Sequence, residues 1–136
     1  MRPEEFKNEN KDCTVRAFST VFDVNYEVAH SFLKSKGRKN GRGFDTKEAF
    51  ANRGYFMKDR EFRMFEIGGK KFMITMYRNP HITVATFAKR FPKGNFYCVV
   101  YGHAFCVIDG SVKNQQVNGC IVKYYVKVVP VEGGQK

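Results

Sequence analysis

The spacing of apolar residues changes partway along this chain, and that switch limits what it can fold into. Early on, Val15, Phe18 and Phe22 fall at i, i+3 and i+7, the stripe of one helical face. Later, NFYCVVYG, HAFCVIDG and CIVKYYVKVV are short apolar runs bounded by turn residues, the pattern of strands. Helices followed by hairpin-linked strands predict an α+β fold with an antiparallel sheet. At 136 residues the chain fits one domain, residues 1–136. Its 43% hydrophobic and 15% aromatic content supports a core and excludes general disorder.

The elements can be placed more closely. VRAFSTVF follows Asp12-Cys13-Thr14, with Asp12 or Asn10 as candidate caps. A second helix opens at Asn25, buries Tyr26, Ala29 and Leu33, and stops at Gly37. The basic loop GRKNGRG leads to a third helix, TKEAFANR, capped by Thr46. Tyr55 to Tyr77 holds aromatic-rich runs with a turn at Gly68-Gly69, and TVATFAKRF forms a short helix after His81. Asp109-Gly110 is a strong hairpin signal. In the last strand Lys123 and Lys127 alternate with Val122, Tyr124 and Val126, so one face should be wet.

Lys+Arg 24 against Asp+Glu 13 gives a net charge of +11, which attracts nucleic acid or an acidic protein partner. No apolar run is long enough to span a membrane, so no membrane partner is expected. MRPEEFKNENKDC lacks the apolar centre of a secretory signal. The expected setting is therefore the reducing cytoplasm, with Cys13, Cys98, Cys106 and Cys120 as free thiols. No C-x-x-C pair occurs, and His30, His81 and His103 lack ligand spacing, so neither a metal nor a cofactor is expected.

One constellation carries chemistry. Cys13 falls in the first turn of a helix, where unpaired N–H groups and the helix dipole favour a thiolate. His103 follows Gly102 and opens a strand, from which an imidazole can act as base. Asp109 cannot orient that ring, because six residues along a strand span roughly 20 Å. With a two-residue turn at Asp109-Gly110, His103 pairs with Gln116, and Asn114 and Asn118 are its diagonal neighbours on the same face. Cys106 has the opposite parity and should point into the core. Cys98, Cys106 and Cys120 lie in apolar strands and are expected to be packed thiols.

N-K-D-C-T-V-R-A-F, Y-E-V-A-H, T-V-x-x-F, P-K-G and G-H-A-F-C-V-I-D-G, spread over residues 10–118, resemble a family of small papain-like cysteine-peptidase-fold proteins of bacteria and their phages. Its better-described relatives include peptidases that trim bacteriocin leaders. The resemblance implies a papain-like fold with Cys13 as nucleophile, His103 as base and Asn114 as orienting group. It further implies a peptide or isopeptide substrate, in the host cytoplasm if the chain is phage-encoded. The family usually carries Asp at the third position, in a Tyr-Asp pair, where this chain has Lys113-Asn114. Papain-like enzymes also place an oxyanion-stabilising Gln about six residues before the nucleophile. Here that position is Lys7, and Asn8 is the nearest suitable amide.

Two further readings remain open. The chain is alternatively a binding protein that kept the fold without the chemistry, such as a phage factor acting on a host or its defences. It also carries features of nucleic-acid association. K34-S-K-G-R-K-N-G-R42 is rich in cations, and Tyr55, Phe56, Phe62, Phe65, Phe72 and Tyr77 are aromatics able to stack on bases.

Overall fold

A computed structural model describes residues 12–39, 49–51, 57–113 and 117–131. The first described elements are helices α1 (Cys13–Val21) and α2 (Tyr26–Ser35). Val15, Phe18 and Phe22 are fully buried, as their helical spacing predicts. Helix α2 ends in a Schellman motif: Gly37 N–H donates to Lys34 C=O and Arg38 N–H to Leu33 C=O. Gly37 reaches a φ of +112° there, a conformation that costs a residue with a Cβ.

Hairpin β1 (Phe62–Ile67) and β2 (Lys70–Arg78) follows, then helix α3 (Val84–Arg90). The Thr83 hydroxyl accepts from Thr86 N–H and so caps α3. The chain continues through β3 (Asn95–Val100), β4 (His103–Ile108), β5 (Ser111–Lys113) and β6 (Tyr124–Pro130). These strands form one sheet in the order β1-β2-β6-β3-β4-β5, with every neighbouring pair antiparallel. Both expected two-residue turns are present, with Ile67 opposite Lys70 and Ile108 opposite Ser111. Gly68-Gly69 and Asp109-Gly110 all have positive φ, the type I′ geometry that matches strand twist.

The sheet has a core on each face. Helices α1 and α2 cover one, where Phe18, Leu33, Ile74, Tyr97, Cys106 and Val126 are buried. On the other, α3 packs Val84 and Phe87 against Phe96, Phe105, Val107 and Tyr125. None of the described helices is long and apolar enough to cross a membrane.

Some expectations are corrected. Strand β6 is not wet along one whole face, because α3 buries Tyr125 and leaves only Lys127 and Val129 of that face exposed. Residues 120–123 precede β6 rather than belonging to it, although Ile121 bridges Thr83. Cys120 is therefore exposed instead of packed. The helix expected at TKEAFANR lies mostly outside the described residues. Its Ala49 and Phe50 occupy a turn, and both side chains are buried.

Phe18 joins the helices to the sheet, with Phe22, Phe32, Phe50, Phe65 and Tyr97 around its ring at centroid distances of 5.2 to 6.5 Å. Phe18→Ala is expected to cost about 3–5 kcal/mol through lost transfer energy and an unfilled cavity. Denaturant midpoints test this against Tyr101→Ala at a fully solvated site, where a change within about 0.5 kcal/mol is expected. Equal midpoints would remove Phe18 from the core's centre.

Candidate active site

Cys13 is the first residue of α1, and His103 the first of β4. What joins them is a backbone group. Ala104 N–H donates to Cys13 Sγ at 3.4 Å. The register explains which way that donor points. Val100 faces His103 across the tight Tyr101-Gly102 turn, so His103 bonds to β3 and the polar backbone of Ala104 points the other way, toward β5. Strand β5 pairs with β4 up to Lys113 opposite Cys106. The thiol thus lies against the β4 backbone at the residue that follows His103.

Strand alternation places His103 on the α3 face with Val100, Phe105 and Val107, while Ala104 and Cys106 face α1. The His103 ring lies parallel to Phe105, 6.2 Å between centroids and 13° between planes. Its Nε2 is buried and has no hydrogen-bond partner among the described residues. Burial, and then the Arg16 guanidinium, hold this imidazole below its ordinary pKa of 6.5. It is consequently neutral at physiological pH and able to accept a proton.

The α1 end of the site is anchored by Asp12. Its carboxylate is fully buried, yet makes no capping bond to the helix. It accepts from the Tyr26 hydroxyl at 2.7 Å and lies 3.1 Å from Arg16 Nε. The Arg16 N–H is not aligned on it, so the latter contact is ionic rather than a hydrogen bond. Tyr26 in turn stacks on buried His30, 6.0 Å between centroids. Sequence reasoning assigned Asp12 to capping and missed Arg16, although their i,i+4 spacing is the signature of a helical ion pair.

The other sequence candidates sort clearly. Asp109 is engaged elsewhere, accepting from Gly94 N–H at 2.9 Å, in keeping with its exclusion as orienting group. Cys98 and Cys106 are packed thiols. Burial pushes Cys98 well up, with Cys106 beside it, and raises Cys106 to about 12 despite nearby Lys113. Asn8 and Asn114 lie outside the described residues. The register leading to Asn114 starts as expected, with Val107 opposite Val112. Val117, which lies outside the strands, packs on the α3 face. Asn118 is instead exposed in a turn, its carbonyl accepting from Ala85 N–H.

Comparison with known protein families, with curated proteins and with solved structures finds no match to this chain.

The lowered His103 pKa makes stability depend on pH with a definite sign. Below about pH 6.5 the unfolded chain binds a proton there that the folded chain resists, so acid favours unfolding until the folded-state pKa is passed. His103→Gln is expected to flatten the dependence of the denaturant midpoint between about pH 7.5 and 5 relative to wild type. An unchanged slope would show that His103 titrates as it does in the unfolded chain.

Proposed function

We propose that the chain is a papain-like thiol hydrolase that cleaves a peptide or isopeptide bond. The observation that carries this reading is the Cys13 thiol, at the start of a helix, held against the backbone next to a neutral His103 at the start of a strand. In this reading the imidazole, set on the other face of the sheet, turns round the start of β4 toward the thiol. It takes the thiol proton as Sγ attacks the carbonyl carbon, and returns it to the leaving amine; water then releases the acyl group. Nε2, buried and without a partner among the described residues, is the ring atom for Asn114 to hold, its amide oxygen accepting the N–H and fixing the tautomer. An Asn8 side chain would stabilise the tetrahedral oxyanion.

Cys120 supplies an internal reference, being an exposed free thiol in the same molecule. Iodoacetamide is expected to modify Cys13 faster than Cys120 although Cys13 is half-buried, and His103→Ala should abolish that advantage. With a fluorogenic peptide substrate, Cys13→Ala should reduce turnover to background and His103→Ala by at least about 10²-fold. Asn114→Ala should lose less than either, since water partly replaces an uncharged orienting amide. If Cys13 reacts no faster than Cys120, the activated pair is absent. A biological effect that survives Cys13→Ala would instead identify a binding protein that keeps the fold without the chemistry.

A further inference from the structure

The face of the sheet opposite α1 and α2 carries an aromatic pocket rimmed by cations, away from Cys13. Its cavity is about 290 Å³, lined by Arg60, Tyr77, Phe91, Phe96, Tyr125 and Lys127. Tyr77 and Tyr125 are cross-strand partners on β2 and β6, their rings stacked at 4.8 Å and 16°. Phe91, where α3 ends, lies 5.8 Å from Tyr125 and 5.1 Å from Phe96. Phe96 and Tyr125 are buried and form a floor, while half-buried Tyr77 and Phe91 offer ring surface to the cavity.

The rim is positive. The Arg60 side chain is 78% exposed, and Lys127 is exposed on β6. The opposing charge is Asp59, 3.7 Å from Arg60 Nε, but its other oxygen already accepts from Arg78 N–H. Arg90, in the last turn of α3, adds a further cation. Arg60 and Arg90 both lie near enough to act on the Tyr125 hydroxyl, yet burial, with Tyr77 and Cys98 beside it, pushes that hydroxyl up. It is therefore a neutral phenol.

Aromatic walls under a cationic rim suit a flat π-system that carries negative charge. A cavity of this size, at the lower end of the range for ligand pockets, suits one small flat group rather than an extended molecule. The net charge of +11 argues for a polyanion over an isolated small anion. We infer that this pocket is a single-stranded nucleic-acid site that stacks one base on Tyr77 and Phe91 and sets its flanking phosphates on Arg60 and Lys127. A duplex cannot enter in this way, because its bases are already stacked and paired. Of the aromatics the sequence offered for stacking, only Tyr77 belongs to the site. Phe65 and Phe72 are buried beneath α1 and α2, Phe62 is exposed on β1, and Tyr55 and Phe56 lie outside the described residues.

Fluorescence anisotropy of the full chain with a labelled single-stranded oligonucleotide tests this, beside an abasic strand of equal length and a duplex. Wild type is expected to bind the oligonucleotide at least tenfold more tightly than the abasic strand, since stacking adds to charge. The Arg60→Gln/Lys127→Gln double variant changes only exposed groups. It should weaken binding and lower the slope of log K against log salt by about 1.4, roughly 0.7 per lost phosphate contact on a single strand. The exposed control pair Lys71→Gln/Lys113→Gln should leave oligonucleotide and abasic strand separated as in wild type. Phe91→Leu keeps apolar volume but removes the ring, and should close the gap between them. Equal affinity for oligonucleotide and abasic strand, a preference for duplex, or rim variants indistinguishable from the controls would each overturn the assignment.

Discussion

Everything in this fold hangs on the contact between α1 and the centre of the sheet. Phe18 enters a nest of rings contributed by α1 and its C-cap, α2, the turn at Ala49-Phe50, β1 and β3. Edge-to-face and stacked ring pairs are directional as well as apolar, so they fix the rotation of the helix and not only its burial. Rotation decides where the first turn of α1 falls. With Phe18 seated, Cys13 reaches the β4 backbone and Asp12 turns inward to meet Tyr26. The candidate site is thus positioned by packing five residues away from its thiol.

Asp12 adds a second level of control. A buried carboxylate is costly unless it is paired and hydrogen-bonded, and here the Tyr26 hydroxyl and Arg16 compensate it from two helical turns. The same Arg16 charge falls on His103. One acidic side chain therefore links the α1–α2 contact to the protonation of the imidazole, and a change at any member of the group is felt at the others.

Much of this was legible in the sequence because it rests on local rules. Helical stripes gave α1 and α2, paired turn residues gave the β1–β2 and β4–β5 hairpins, and Thr83 marked the start of α3. Parity alone separated His103 from Cys106. What escaped was tertiary. Asp12 read as a cap because capping is the local use of such a residue, whereas its partner Tyr26 is fourteen positions away. The last strand read as half wet because nothing local said that α3 would fold back over Tyr125. Cys120 read as a strand residue because the apolar run around it hides where β6 begins. Residues 117–122 dock beside α3 through bonds such as Val84 N–H to Cys120 C=O. No spacing in the chain encodes that.

Strand β6 is the last of the described strands in sequence, yet it lies between β2 and β3 in the sheet. Without it, a hairpin and a three-stranded meander have no common edge. On the ribosome those halves emerge first and wait with open flanks until β6 is threaded between them. Such non-local closure is slow, and the open flanks are sites where growing chains can pair with one another. In a tensile experiment, force applied along β6 would shear two ladders at once, making this strand the mechanical keystone of the molecule.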